Sequence, residues 1–232
     1  MKNSNLQPAF ILHRRPYSNT SLLLECFTAS HGRFPVIAKG INNRRSGLSG
    51  LLQSFSPLLI DWRGKGEVKT LVTCEPGESV IKLSKKALYC GFYINELMMR
   101  LLERLDPHAK LFKYYAESLS QLADGIEVEQ VLRRYEILLL AELGYGVNLS
   151  LEAETGNPID PEKCYRYVVE HGPVLMDSES GLSISGSTLL ALEHDHQLDK
   201  KERKEARALM RKILAHYLGD KPIKSRELFQ VL

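Results

Sequence analysis

Apolar positions in the first 76 residues fall into short runs separated by turn-forming residues. The runs at 10–12, 22–27 and 34–38 are followed by Pro16 to Asn19, His31-Gly32 and Lys39-Gly40. Short apolar or alternating runs bounded by such residues predict β-strands. Two more strands are predicted at 54–62 and 67–74, joined by Arg63-Gly64-Lys65-Gly66, with Pro57 placing the fourth strand at an edge or a bulge. Five short strands predict a small barrel of the OB or the SH3-like type, which the pattern does not separate.

From residue 85 onward the spacing of apolar positions lengthens from two to about 3.6, which is typical of helices. Helices are predicted at 85–105, at 127–143 and at 199–218, with a further helix ending near Asp124-Gly125. A glycine- and serine-rich stretch at 46–53 leaves room for one helical turn. A small hairpin is predicted from 165–169 and 174–176, and short helices at 187–193 and 225–232. The pattern therefore predicts an α+β protein with a barrel domain at 1–80 and a mainly helical domain at 81–232.

The charge is divided unevenly along the 232 residues. The whole chain has a net charge of +3, but residues 1–86 hold 13 basic and 5 acidic residues, a net charge of +8. Residues 87–232 have a net charge of −5. A basic half indicates a polyanionic partner, although a solvated basic surface gives the same composition.

The four cysteines form no C-x-x-C pair, so a zinc ribbon is not encoded. The N-terminus lacks a signal-peptide core, and no apolar run reaches membrane-spanning length. We therefore expect a cytoplasmic protein with reduced thiols.

Sequence signatures of catalysis are missing. The chain has no phosphate-binding G-x-x-x-x-G-K-[ST] or G-x-G-x-x-G motif and no G-x-S-x-G nucleophile elbow. His194-Asp195-His196 has the spacing of a solvated loop rather than of a metal site, because i and i+2 lie on different sides of a helix. We expect no enzyme activity and no cofactor, although active sites can assemble from distant positions.

Several stretches, found together and in order, resemble the RecO family of bacterial DNA repair proteins, in its enterobacterial-like branch. The matching stretches are AFILHRRPYSNTSLLLECFT at 9–28, RGKGEVKTL at 63–71, LYCGFYINELMMRLL at 88–102, LRRYEILLLAELGYGVNL at 132–149 and YLGDKPIKSRELF at 217–229. This resemblance covers nearly the whole chain. It implies an N-terminal five-stranded OB-fold barrel followed by a mainly α-helical domain.

The resemblance also implies a function without catalytic turnover. Proteins of this family bind single- and double-stranded DNA, anneal complementary strands, and with RecR help RecA to load on DNA coated by single-strand-binding protein (SSB), with RecF linked to the same pathway. The chain is then expected to be cytoplasmic and nucleoid-associated. The alternative is a generic OB-fold nucleic-acid-binding module that binds without annealing.

Many relatives carry a four-cysteine zinc motif in the segment corresponding to about 149–180. This chain keeps only Cys164 there. We therefore expect a degenerate zinc-finger-like segment that holds no structural zinc.

The DNA-binding candidates are basic residues that the pattern places on strand ends and turns of the barrel. Long cationic side chains there can reach a sugar–phosphate backbone without reading its sequence. They are Arg14, Arg15, Lys39, Arg44, Arg45, Arg63, Lys65 and Lys69. Tyr17, Phe34, Phe55 and Trp62 could stack on bases, although each is more typical of a core.

The resemblance implies that the acidic, hydrophobic C-terminal tail of SSB binds this protein. Such a tail needs an apolar pocket beside a guanidinium group. Arg133, with Leu132 and Leu138 as pocket walls, is the predicted site. The alternative is a surface arginine pair, Arg133-Arg134, held by neighbours on the same helix such as Glu129, four residues before Arg133. Lys221, Lys224 and Arg226 form a further basic cluster that either contacts a partner or only leads into the last helix.

Overall fold

The computed structural model describes residues 5–41, 48–78, 80–176 and 183–231. Its first five strands are β1 (Gln7–Ser18), β2 (Ser21–Thr28), β3 (Gly32–Ala38), β4 (Leu58–Arg63) and β5 (Lys69–Pro76), with a short helix α1 (Leu48–Leu51) between β3 and β4. They close into a barrel in the order β1-β2-β3-β5-β4. The β3–β5 pair is parallel, and β1 pairs antiparallel with β4. The predicted α+β class with an N-terminal OB-type barrel is confirmed.

β1 and β4 differ most from their predicted extents, and β5 begins and ends two residues later than predicted. β1 continues through the charged and turn-forming residues to Ser18, because its second half pairs with β2. Pro16 is tolerated there because β1 pairs with β4 only at 7–9, so this end of β1 is a sheet edge. β4 begins at Leu58 rather than at residue 54, since Pro57 and the positive φ of Phe55 precede it.

Alternate residues of the strands fill the barrel interior. Leu24, Cys26, Phe34, Val36 and Ile60 are each at most 1% exposed. Because successive strand side chains point to opposite faces, the residues between them face the outside of the barrel. This alternation fixes which basic residues of the barrel reach solvent.

Helices α2 (Lys85–Leu101) and α3 (Ala109–Ala123) cover one outer part of the barrel. Phe10 and Phe27 pack there against Phe112 and Tyr115, with ring centroids 5.0–6.3 Å apart. The buried Asn95 amide donates to the Leu12 carbonyl (2.8 Å) and accepts from the Tyr115 hydroxyl (2.7 Å). The barrel and these helices therefore share one core.

The β2–β3 turn is fixed by the chain segment that follows α2. Gly32 has a φ of +62°, and a Cβ atom there would meet the Asp106 carbonyl oxygen at 1.9 Å. The adjacent Arg33 donates to Glu25 and to the Leu102 carbonyl (2.8 and 3.0 Å). Arg104 also binds the Glu25 carboxylate, with both contacts at 3.1 Å. This buried carboxylate between two guanidinium groups holds the turn in place.

The remaining elements are α4 (Val128–Glu142), β6 (Cys164–Val168), β7 (Gly172–Leu175), β8 (Ile184–Ser185), α5 (Gly186–Glu193), α6 (Lys200–Leu218) and a C-terminal 3₁₀ helix (Lys224–Val231). The predicted hairpin is present as β6 and β7. β8 was not predicted, and it completes a sheet of order β7-β6-β8. Asp199 and Glu202 form a capping box that starts α6.

The chain divides into two compact units, one of residues 1–124 with 223–232 and the other of residues 125–222. The first unit thus combines the barrel, α2, α3 and the C-terminal 3₁₀ helix. The two helices belong to it because they cover the outer face of the barrel. The predicted domain boundary at residue 80 follows the change from strands to helices and stays a prediction.

Candidate functional site

Two basic candidates of the barrel lie in one row across all five strands. Arg15 pairs with Leu23, Leu23 with Ile37, Ile37 with Thr70, and Thr70 with Arg63. Paired residues of neighbouring strands point to the same face. Arg15 and Arg63 are exposed and the three residues between them are half-buried, so the row lies on the outside of the barrel. We call this row the barrel row.

The β4–β5 turn adds cations next to one end of the barrel row. Every residue from Arg63 to Val68 is exposed, including Lys65. The half-buried Lys69 donates its Nζ hydrogen to the Gly64 carbonyl (3.2 Å) and so holds the turn to β5. The turn therefore presents Lys65 to solvent, where no described residue pairs with it.

Arg14 and Lys39 lie in different settings. Arg14 pairs with the buried Leu24, and its Nη1 donates to the Leu52 carbonyl (3.0 Å). Lys39 is exposed directly after β3. Arg44 and Arg45 lie outside the described residues. The structure thus brings Arg15, Arg63 and Lys65 to the open outer face, while Arg14 is partly engaged by backbone.

The cations on the outer face are not neutralised locally. Within the described part of the barrel, no ion pair involves Arg15, Lys39, Arg63 or Lys65, whereas Arg33 is paired with Glu25. Unpaired and exposed side chains keep their full charge for an incoming polyanion.

The aromatic candidates separate clearly by exposure. Tyr17, near the end of β1, is 61% exposed. Phe34 and Phe55 are buried, and Trp62 is half-buried against Phe34 and His31, with ring centroids 4.8 and 5.1 Å away. Tyr17 is therefore the aromatic candidate best placed to stack on a base.

A cavity of about 230 Å³ lies between α4 and the α5–α6 region of the second unit. Its apolar walls are Ile137, Leu138, Ala191, Leu192 and Leu198, and both Arg133 and Arg134 line it. The arrangement combines an apolar lining with two guanidinium groups.

Arg133 lines this cavity as a nearly buried charge. Its side chain is 7% exposed, and its Nη2 donates to the fully buried Glu136 carboxylate at 2.7 Å. None of the described residues accepts a hydrogen bond from its Nε–H. A buried N–H of a charged group is costly to leave unbonded, so this donor favours an incoming acceptor.

The neighbours of Arg133 differ from those expected. Glu129 does not pair with Arg133; its Oε1 lies 2.8 Å from Arg207 of α6. Leu138 lines the cavity, whereas Leu132 is buried and is not among the lining residues. The alternative, in which neighbours on the same helix hold the arginine, is met by Glu136 three residues later and not by Glu129, although the Arg133 side chain is buried rather than at the surface.

Arg134 stands at a more open position of the cavity. Its side chain is 43% exposed and lies 2.9 Å from Asp195. Gln130 donates to the Asp195 carboxylate (2.9 Å) and to the His196 carbonyl (3.0 Å). Gln130, Leu192 and Leu198 could not be recognised as cavity residues from the sequence, since only tertiary packing brings α5 to α4.

The described residues include no group of three or more His, Cys, Asp or Glu side chains that could hold a metal ion. Cys26, Cys74, Cys90 and Cys164 are free thiols. Burial and, secondarily, the charge of Glu75 raise the pKa of Cys74 to about 11, so this thiol stays protonated at neutral pH.

The last basic cluster contributes to the fold of the first unit. Glu96 of α2 accepts hydrogen bonds from the backbone N–H groups of Lys224 (2.9 Å) and Ser225 (2.7 Å). The Arg226 guanidinium lies 5.7 Å from the centre of the Tyr93 ring. These contacts favour the interpretation that the segment leads into the last helix.

No helix in the described ranges is long and apolar enough to cross a membrane.

Two family models cover most of the chain. The model described as recombination protein O N terminal matches residues 1–80, and the one described as recombination protein O C terminal matches residues 84–227. Curated relatives named DNA repair protein RecO are similar along nearly their whole length. The relative from Methylococcus capsulatus is 47% identical over 226 residues, 97% of this chain and 93% of its own. Those from Haemophilus influenzae (strain 86-028NP) and Aromatoleum aromaticum are 46% and 45% identical, over 97% of this chain and 96% and 95% of their own.

Proposed function

Since the chain belongs to the RecO family of DNA repair and recombination proteins, we propose that it is a recombination mediator. It binds single- and double-stranded DNA, anneals complementary strands, and with RecR helps RecA to load on SSB-coated DNA. It does so without catalytic turnover and without a cofactor. RecF acts in the same repair pathway. The protein works in the cytoplasm, at the nucleoid.

The barrel row carries the DNA-binding part of this proposal. Arg15 and Arg63 stand at the two ends of the row, and Lys65 lies beside Arg63. All three are exposed and have no ion pair among the described residues. Such cations bind phosphates by releasing counterions. If about six of the eight candidates contact phosphates, log affinity for single strands falls with log salt at a slope of roughly −4. A slope near zero would contradict the electrostatic binding mode.

Annealing follows from the same charge pattern. A basic surface lowers the repulsion between two phosphate backbones, and contacts confined to the backbone leave base edges free to pair. The reaction then needs no nucleotide, which agrees with the lack of a phosphate-binding loop in the sequence.

The test is annealing of complementary, fluorescently labelled oligonucleotides coated with SSB, without nucleotide or metal. We expect the protein to accelerate annealing, and we expect deletion of the SSB tail to remove the acceleration. Uncoated oligonucleotides serve as the control for annealing itself. DNA binding without any acceleration would instead support the generic OB-fold binding module. Metal-dependent DNA products would support an enzyme.

We assign the SSB tail to the cavity that Arg133, Ile137 and Leu138 line. A terminal carboxylate is an acceptor suited to the unbonded Nε–H of Arg133, and the apolar walls suit a hydrophobic terminal residue. Leu132, which does not line the cavity, receives no direct contact in this proposal. Arg134 also lines the cavity, and its guanidinium could leave Asp195 to pair with the acidic residues of the tail.

Tail binding is measured with a fluorescent peptide of the SSB C-terminus. Arg133→Ala should weaken binding at least about tenfold, since a guanidinium–carboxylate contact is lost. Because that change also leaves Glu136 buried without Arg133, Leu138→Asp provides a second variant that places an acidic group in the cavity wall. Arg166→Ala, an exposed arginine on β6 outside the cavity lining, is the control. Wild-type affinity in both cavity variants would place the site elsewhere.

The role of RecR is tested by RecA loading. We expect RecA filaments to form on SSB-coated single strands only when both this protein and RecR are present. Loading that is equally fast without this protein would contradict the mediator role, whereas the annealing result would stand by itself.

A further inference from the structure

The second unit has a strongly uneven charge distribution. α6 holds seven Lys and Arg residues and two Glu residues, whereas the remainder of 125–222 holds five basic and fifteen acidic residues. A net positive helix therefore belongs to an otherwise acidic unit. The net charge of the whole unit is negative, so it does not reveal that this helix is positive.

Four cations of α6 form one exposed stripe, Lys200, Lys204, Arg207 and Arg211, which we call the α6 stripe. The spacing i, i+4, i+7 and i+11 places them on one side of the helix. All four are exposed. Arg207 pairs with Glu129, while no ion pair or hydrogen bond in the described part of the chain holds the side chains of the other three.

This arrangement works against the stability of the helix. Cations three or four residues apart repel each other, and Lys200 and Lys204 lie near the helix N-terminus, where the helix dipole disfavours positive charge. Exposed helix faces that are laced with salt bridges alternate charges of both signs, and this stripe does not. A same-sign stripe is instead suited to a polyanion.

We infer that the α6 stripe binds the phosphate backbone of a second DNA strand. The stripe extends for about 16 Å along the helix, long enough to contact several phosphates of one strand, whose axial rise in a duplex is about 3.4 Å per phosphate. The inference rests on the proposed annealing function, because an annealing protein must hold two strands and the barrel row accounts for one. Strand binding by the stripe is nevertheless measurable without annealing.

The first experiment is a footprint of lysine acetylation with and without a single-stranded oligonucleotide at low salt. We expect DNA to protect Lys200 and Lys204 from acetylation at least about threefold, and added salt to remove that protection. Lys163, which is exposed in the same unit and lies 3.7 Å from Asp160, should stay unprotected. Equal reactivity of Lys200 and Lys204 with and without DNA would overturn the inference.

The second experiment uses Lys200→Gln, Lys204→Gln and Arg211→Gln together. These side chains are exposed and have no ion-pair partner among the described residues, so the variant should fold normally. We expect saturation at one short oligonucleotide per chain instead of two, and annealing at least about tenfold slower. A matched control changes Lys86, Lys110 and Lys113 of α2 and α3 to Gln, which removes the same charge from other exposed positions.

The two proposals fail in different ways. In one outcome, the wild type binds two oligonucleotides without annealing them, while the triple variant binds only one. In that case the α6 site stands and the annealing function fails. If the triple variant keeps two oligonucleotides per chain and the wild-type annealing rate, the α6 site fails. Protection of Lys200 and Lys204 by an acidic peptide but not by DNA would also overturn the inference, and it would assign the stripe to a protein partner.

Discussion

The barrel and the second unit use arginine in different ways. On the barrel, Arg15 and Arg63 are exposed and unpaired among the described residues, while Arg33 is committed to Glu25. In the second unit, four of six arginines form ion pairs: Arg133 with Glu136, Arg134 with Asp195, Arg203 with Glu127 and Arg207 with Glu129.

The comparison shows that the number of basic residues in a segment does not measure its capacity for DNA. An arginine held in an ion pair presents less net charge to DNA than an unpaired one, and a buried pair also contributes to the fold. An unpaired, exposed arginine contributes little to stability and keeps its charge for a ligand.

The largest effect is expected from removing the buried partner of Arg33. Glu25→Ala should lower the free energy of unfolding by about 3–5 kcal/mol, because Arg33 and Arg104 lose their common carboxylate in a largely buried position. Urea denaturation measures the change. As a control, Glu67→Ala, at an exposed position in the β4–β5 turn, should change it by less than about 0.5 kcal/mol. Equal stability of the two variants would show that the Glu25 cluster does not hold the turn.

Substitutions in the barrel row should change the free energy of unfolding less than Glu25→Ala does, but they should weaken DNA binding strongly. Changing Arg15, Arg63 and Lys65 together to Gln should weaken single-strand affinity roughly tenfold and reduce the steepness of the salt dependence by about 2. The unfolding free energy should change little, since these side chains are exposed and no described residue forms an ion pair with them. Fluorescence anisotropy at several salt concentrations gives both quantities. The Lys86, Lys110 and Lys113 variant described above is the control, and an equal loss of affinity in it would show that position on the barrel does not matter.

Arg203→Ala tests the opposite role in the second unit. Arg203 donates to Glu127 (3.1 Å) and to the Leu198 carbonyl (3.1 Å) while partly exposed. Its removal should cost about 0.2–1 kcal/mol of stability and leave single-strand affinity unchanged within about twofold. Thermal unfolding and anisotropy measure the two quantities. A strong loss of DNA binding with unchanged stability would reverse the assignment of roles.

The smallest effect concerns acid. Desolvation raises the pKa of Glu96, but hydrogen bonds from Ser225 and Lys224 and the charge of Arg100 outweigh it, so the pKa lies below the usual value of 4.5. A lowered pKa means that the carboxylate stabilises the fold above the unfolded-state pKa and that this contribution disappears as pH falls through the lowered pKa. The amide NMR shifts of Lys224 and Ser225 should therefore change below about pH 4.5. In Glu96→Gln this step should be missing; its persistence would point to another acidic group.

Much of the fold could be predicted from the sequence because strands and helices differ in their apolar period. The five strands, the long helices and the 165–176 hairpin followed from that period. The OB order did not, since the parallel pairing of Val36 with Lys69 is a long-range contact. The two-residue strand β8 is too short to carry a periodic signal.

The candidate sites were predictable only as far as residue type and local order reach. The basic residues of the barrel are visible in the sequence, but the row that joins Arg15 to Arg63 depends on strand register. Arg133 and Leu138 do line a cavity. Glu129 pairs with Arg207 because α6 packs beside α4, and this long-range contact cannot be predicted from local spacing.

The aromatic cluster between the barrel and α3 has a consequence for how the first unit unfolds. Phe10 and Phe27 are 3% and 0% exposed and contact Phe112 and Tyr115 of α3. An excised fragment of residues 1–80 would leave both phenylalanine rings open to water, which favours aggregation. In hydrogen exchange, β1, β2 and α3 should then behave as one cooperative foldon, with their slowest amides opening together. We therefore expect the barrel to fold and stay in solution by itself only when the helices that cover it are included.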